Sequence, residues 1–100
     1  MFILTLYEVG LALKAIVYTT PTCPNCKVLE RFLNELGVEY EEKNMLDLDV
    51  QTELIMMDVF TTSAPILRVG DKFLTIKELF NGGKLNVRLI KDVLGVEGSG

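Results

Sequence analysis

Hydrophobic and polar positions divide the chain into alternating strands and helices. Residues 15–18 form a short apolar run, the pattern of a strand buried on both faces. Residues 38–43 begin by alternating apolar and polar positions, which predicts a strand with one solvated face. Between them, residues 24–36 repeat apolar side chains every three or four positions and predict an amphipathic helix. This β-α-β succession predicts parallel strands joined by a right-handed crossover.

The predicted helix has two faces and two end signals. Pro24 suits the first helical position, and Gly37 suits the residue that follows the helix. The apolar positions, expected to be buried, are Val28, Leu29, Phe32, Leu33 and Leu36. The polar positions, expected to face solvent, are Lys27, Glu30, Arg31, Asn34 and Glu35.

The next segment predicts a second helix followed by a hairpin. Asp49 is the expected N-cap of a helix that ends near Phe60. Apolar runs at 66–69 and 72–75 flank Gly70 and Asp71, a pattern typical of a tight antiparallel hairpin.

The last part of the chain completes a four-stranded mixed sheet between helices. Residues 76–80 predict one or two helical turns, and Asn81-Gly82-Gly83 interrupts the chain. Residues 85–94 predict a final amphipathic helix that ends at Gly95.

Both ends of the chain are set apart from a domain predicted at residues 14–95. Residues 1–13 are apolar and β-branched, which predicts an N-terminal extension forming a strand on a sheet edge; the alternative is contact with a partner or neighbouring domain. Residues 96–100 predict a flexible tail. Glu8 and Lys14 interrupt the apolar N-terminal stretch, so no membrane span and no membrane partner are expected. No basic region precedes that stretch, and we expect a cytoplasmic protein.

Composition excludes several classes of function. The net charge is −4, and no Lys/Arg cluster exceeds two residues, so nucleic acid is not an expected partner. The chain has no histidine, which excludes Ser/His/Asp hydrolases, Cys-His proteases and Cys₂His₂ zinc sites. It has two cysteines, Cys23 and Cys26, whose spacing is too short to staple a secreted fold.

The two cysteines open the first predicted helix, directly after a strand. This placement is typical of a redox-active dithiol, because a helix N-terminus favours thiolate over thiol. One helical turn brings positions i and i+3 close enough for a disulfide. We therefore expect Cys23 to attack and Cys26 to resolve. Pro65 is open to two interpretations, a strand start without function or a cis bond that aims the Ala64 backbone at the dithiol.

These motifs together resemble the glutaredoxin family over residues 14–95. Residues 18–40, YTTPTCPNCKVLERFLNELGVEY, resemble its first β-α-β unit. Residues 62–65 resemble its cis-proline loop, and KELFNGGKL resembles its last helix with a small-residue break. The resemblance implies a thioredoxin-like (glutaredoxin-type) three-layer α/β/α sandwich.

The resemblance also implies a role for each site residue. Cys23 is then the nucleophile of a thiol-disulfide oxidoreductase and Cys26 its resolving thiol. Pro65 is the cis-proline, with Ser63 and Ala64 binding the substrate backbone in a strand-like manner. Pro24 and Asn25, between the cysteines, are assigned to substrate binding. No bound cofactor and no metal are expected beyond the redox-active disulfide.

Two departures from the family pattern concern the source of electrons. Asn25 stands where glutaredoxins often carry tyrosine. Residues 74–78 read Leu-Thr-Ile-Lys-Glu where glutaredoxins have Gly-Gly followed by aspartates that hold glutathione. The electron donor is therefore open between glutathione and a thioredoxin reductase. The expected substrate is a protein disulfide, with ribonucleotide reductase as one candidate, as for similar glutaredoxin-like redoxins.

Two alternatives from other functional classes stay open at this point. One is a metal-binding module, in which the thiolates of two chains hold zinc, copper(I) or an iron–sulfur cluster. The other is a redox-inert interaction domain, suggested by the apolar N-terminus.

Overall fold

The computed structural model describes residues 15–61 and 63–95. The predicted N-terminal strand and C-terminal tail lie outside the described residues. Within the described ranges, no helix is both long and apolar enough to cross a membrane.

A mixed four-stranded sheet forms the centre of the protein. Its strands are β1 (Ala15–Thr19), β2 (Tyr40–Asn44), β3 (Ile66–Val69) and β4 (Lys72–Leu74). The spatial order is β2-β1-β3-β4, with β1 parallel to β2 and antiparallel to β3, and β3 antiparallel to β4. The predicted sheet, with one parallel crossover and one hairpin, is confirmed.

Four helices and a small second hairpin complete the described chain. The helices are α1 (Pro24–Glu35), α2 (Leu48–Met56), α3 (Ile76–Leu79) and α4 (Val87–Leu94). The hairpin consists of β5 (Phe80–Asn81) and β6 (Lys84–Leu85).

The alternation of side chains along β1 produces two apolar layers, one on each face of the sheet. Ala15 and Val17 belong to a core with residues of α1, α3 and α4, including Leu29 and Ile90. Ile16 and Tyr18 belong to a second core on the opposite face, with α2 residues Val50 and Leu54 and with Met45 and Ile66. The predicted three-layer α/β/α arrangement is therefore confirmed.

Two predicted element boundaries are wrong. The strand after α1 begins at Tyr40 rather than residue 38, since the Val38 N–H donates to the Leu33 carbonyl at 3.0 Å and closes the helix end. The N-cap residue of the second helix is Asp47 rather than Asp49, because the Gln51 N–H already donates to the Asp47 carbonyl at 3.0 Å; the Asp47 side chain makes no capping hydrogen bond.

The same helix ends at Met56 and not at Phe60. There the Asp58 N–H donates to the Ile55 carbonyl at 2.9 Å, and Asp58 adopts a positive φ of 63°.

The second hairpin was not predicted, and it shifts the start of the last helix. Gly82 and Gly83, at φ of 62° and 81°, form the turn, and Leu85 pairs with Phe80 instead of starting a helix. Asn86 caps α4, its side-chain oxygen accepting the Leu89 N–H at 3.3 Å. The predicted end of the helix at Gly95 is confirmed, with φ of 75°.

Candidate active site

The two cysteines lie where the central strand passes into α1. Cys23 is the N-cap residue with extended backbone angles, and Pro24 is the first helical residue, as predicted. The sulfurs of Cys23 and Cys26 are joined in a disulfide, with their Cα atoms 5.2 Å apart. The expected juxtaposition of the two thiols at a helix start is therefore present.

The environments of the two sulfurs differ. Cys23 is partly exposed, whereas Cys26 is only 3% exposed. The Cys26 backbone N–H donates to the Cys23 Sγ at 3.1 Å, so the sulfur occupies the place of an N-capping oxygen. Pro24 and Asn25, between the cysteines, are exposed. Cys23 is therefore the more accessible of the two sulfurs, and Cys26 lies beneath the surface.

The loop that precedes Pro65 lies at the same end of the sheet as the dithiol. Because Ile66 pairs with Tyr18 across antiparallel strands, the residues preceding Ile66 lie beside the end of β1. The Ala64–Pro65 peptide bond is cis, and Pro65 is fully buried. Ser63 is exposed, and its N–H donates to the Thr61 hydroxyl at 3.2 Å. The fold thus brings together two segments some forty residues apart in the sequence.

Glu30 was expected on the solvent face of α1 and is instead buried. Only 9% of the residue is exposed, and its Oε2 has no hydrogen-bond partner among the described residues. The pKa of Glu30 is raised to about 7, first by burial and then by the hydrogen bond and charge of Glu42, against the charge of Lys27. Glu30 follows the buried Cys26 by four positions, and this spacing is the sequence signal that could have identified it.

A second carboxylate joins the sheet to α2 on the opposite face. Glu53 accepts hydrogen bonds from the Tyr18 hydroxyl at 2.7 Å and from Arg68 at 3.1 Å. Lys43 contacts its other oxygen at 3.0 Å. The hydrogen bond from Tyr18 lowers the pKa of Glu53, while burial raises the pKa of Tyr18. This cluster anchors β1 just before the chain enters the dithiol loop.

The start of α3 carries its own internal cap. The Thr75 backbone N–H donates to Glu78 Oε1 at 2.8 Å, and the Thr75 hydroxyl donates to the same oxygen. The hydrogen bond from the Thr75 hydroxyl lowers the pKa of Glu78. A carboxylate therefore lies in the first turn of α3, directly after β4.

Among residues 15–61 and 63–95, no three or more Cys, Asp or Glu side chains form a group that could hold a metal ion.

Sequence comparison relates the chain to a known family. Residues 15–74 match the sequence model of the glutaredoxin family. No curated protein matches the chain.

Solved structures with related folds share little sequence with the chain. A mutant form of the thioredoxin-like protein BC3987 is 23% identical, over 83% of this chain and 96% of its own, with a TM-score of 0.64. The glutaredoxin of Archaeoglobus fulgidus is 24% identical, over 90% and 94%, with a TM-score of 0.58. The glutaredoxin-like NrdH-redoxin of Escherichia coli is 21% identical, over 63% and 82%, with a TM-score of 0.53. These likenesses establish the thioredoxin-like fold.

Proposed function

This chain belongs to the glutaredoxin family, and on that premise we propose that it is a dithiol-disulfide oxidoreductase that reduces protein disulfides. The observation that carries the proposal is the difference in exposure and hydrogen bonding between the Cys23 and Cys26 sulfurs. Cys23 is partly exposed and receives a backbone N–H at the helix start, whereas Cys26 is buried one turn further on.

In the first step, the Cys23 thiolate attacks one sulfur of a substrate disulfide. A Cys23–substrate disulfide forms, the substrate S–S bond breaks, and the other substrate sulfur leaves as a thiolate. The helix N-terminus and the Cys26 N–H stabilise negative charge on the Cys23 Sγ, which favours the attacking thiolate over the thiol.

In the second step, Cys26 attacks the Cys23 sulfur as a thiolate. The Cys23–Cys26 disulfide forms, and the remaining substrate sulfur leaves as a thiolate. Two electrons have then passed to the substrate, and the protein is in the disulfide state seen in the structure. An external dithiol or thiol donor restores the reduced pair.

The proline loop is proposed to hold the substrate chain beside Cys23. Ser63 and Ala64 precede the buried Pro65, at the end of the sheet where β1 finishes. Their backbone groups are suited to strand-like pairing with an extended substrate segment. The exposed Pro24 and Asn25 complete the contact from the helix side.

The proposed electron donor is a thioredoxin reductase rather than glutathione. In glutaredoxins, as the resemblance implies, this helix start holds the γ-glutamyl carboxylate of glutathione. Here the Glu78 carboxylate already accepts both donors of Thr75, and its negative charge repels a second carboxylate. Ribonucleotide reductase is retained as one candidate protein substrate of such a redoxin.

Two serine variants test the roles of the sulfurs. Because serine is also a good N-cap, we expect Cys23→Ser to keep the fold and lose reduction of a protein disulfide. We expect Cys26→Ser to accumulate a Cys23–substrate disulfide, detectable by intact mass. Full activity of Cys23→Ser, or capture of substrate by that variant, would contradict the proposal.

A coupled assay distinguishes the electron donors. The oxidised protein is offered either glutathione with glutathione reductase or thioredoxin reductase alone, and NADPH oxidation is followed. We expect faster oxidation with thioredoxin reductase. If NADPH oxidation is faster with glutathione, the proposed donor is wrong. Comparison of Glu78→Gln with the wild type then measures whether the Glu78 carboxylate slows reduction by glutathione.

A further inference from the structure

The buried carboxyl of Glu30 occupies the turn of α1 that follows Cys26. Positions four apart in a helix are neighbours on one face, and both residues are buried. Long helical side chains lean towards the preceding turn, so the Glu30 side chain is directed towards the turn of Cys26 and Lys27. We propose that Glu30 accepts the proton of the Cys26 thiol when Cys26 attacks the mixed disulfide.

The groups facing Glu30 determine how readily its carboxylate takes up a proton near neutral pH. From α1, Lys27 favours the charged carboxylate; from β2, the Glu42 carboxyl lies within hydrogen-bond range and opposes that charge. Tyr40 of the same strand is also close, and burial together with Glu30 and Glu42 raises its pKa, which keeps it neutral. Glu30 Oε2 has no partner among residues 15–61 and 63–95, so one oxygen remains free to accept a proton.

Glu42 connects the buried Glu30 carboxyl to solvent. Unlike Glu30, Glu42 is exposed, and it lines an open hollow of about 700 Å³ with Asn34 and Tyr40. A proton taken up by Glu30 is therefore able to leave through Glu42. The Glu30 and Glu42 carboxyls interact directly, since the hydrogen bond and charge of Glu42 raise the pKa of Glu30.

The proposed step is balanced without a further reactant, and it rests on the oxidoreductase function proposed above. The Cys26 S–H bond breaks and its proton passes to the Glu30 carboxylate. The Cys26 sulfur then forms the bond to Cys23, and the substrate sulfur leaves with the electron pair of the bond that breaks.

The test uses the reduced protein and the disulfide reagent DTNB in stopped flow. Cys23 releases the first coloured thionitrobenzoate, and Cys26 releases the second when it resolves the mixed disulfide. We expect Glu30→Gln to leave the first phase unchanged and to slow the second about 10- to 100-fold near neutral pH. The wild-type second phase should rise with pH through an inflection near the pKa of about 7, and the variant should lose that inflection.

Matched variants separate the possible outcomes. Glu35→Gln, an exposed glutamate of the same helix, should behave as the wild type. Glu42→Gln should move the inflection to lower pH, because Glu42 raises the pKa of Glu30, and it provides the test if Glu30→Gln fails to fold. An unchanged second phase in Glu30→Gln, or an unmoved inflection in Glu42→Gln, overturns the inference. Absence of the first phase in the wild type would instead refute the proposed function.

Discussion

The ionisation of Glu30 makes folding stability depend on pH. Its pKa is about 7 in the folded protein against an ordinary value of 4.5, so between these values the folded state binds more protons than the unfolded state. Its contribution to the free energy of unfolding is complete below about pH 4.5 and is lost as the pH rises through about 7. The loss is on the order of 3 kcal/mol.

Glu30→Gln should remove this dependence, because an amide does not ionise. Urea denaturation between about pH 4 and pH 8 should give a flatter curve for the variant, with its stability relative to the wild type increasing with pH. Glu35→Gln provides the control, since its side chain is exposed on the same helix. A constant difference between Glu30→Gln and wild type at every pH would refute this account.

At the scale of single residues, local motifs were predictable and contacts between distant segments were not. Cys23 and Cys26 follow from spacing at a helix start, and the family resemblance supplied the cis bond at Pro65. Glu30 was wrongly predicted to face solvent, because helical periodicity leaves it at the border of the apolar face. Its raised pKa depends in part on Glu42, a residue of β2 that no local pattern connects to it.

The end of α1 depends on one backbone conformation. Gly37 follows the helix with φ of 75°, and a Cβ added there would have open space around it. Gly37→Ala should therefore lower the free energy of unfolding by about 1 kcal/mol through conformation alone. Gly37→Asn should cost less, because asparagine tolerates the left-handed region. Urea denaturation measures both, and equal losses for the two variants would indicate another cause.

Among the elements, those with strong periodicity were predicted best. The extent of α1 and the hairpin of β3 and β4 follow from apolar spacing and from Gly70-Asp71, but Val28, expected to be buried, is 40% exposed. The limits of α2 were wrong at both ends. At its C-terminal end, the turn at Asp58 is set by hydrogen bonds that compete with helix continuation. The hairpin at Gly82-Gly83 was missed because its two-residue strands carry almost no periodic signal.

The stability of the whole molecule should depend on the inner face of α2 and not on its outer face. Leu54 is 3% exposed in the core beneath that helix, whereas Leu48 is 75% exposed. Leu54→Ala should lower the free energy of unfolding by about 2–5 kcal/mol, since it removes buried methyl groups and leaves a cavity. Leu48→Ala should change it by no more than about 0.5 kcal/mol. Chemical denaturation of the two variants makes the comparison, and a large loss for Leu48→Ala would show that its side chain is covered in solution.

The order of elements was sufficient to predict the architecture of the molecule. A β-α-β unit followed by a helix and a hairpin leaves few ways to cover both faces of one sheet. The pairing of β1 with β3 also explains why the dithiol and Pro65 lie at the same end of the sheet, since the end of one strand adjoins the start of the other. The sequence alone does not specify which side chains cross between layers, as the contacts of Glu53 illustrate.

The position of β4 at one edge of the described sheet has a consequence for self-association. An edge strand offers unpaired backbone groups to another chain, and long apolar edges promote aggregation. Here β4 is three residues long and begins with Lys72. A short edge strand that carries a charge disfavours the addition of a foreign strand, so this side of the sheet that supports the dithiol is protected against edge-to-edge polymerisation.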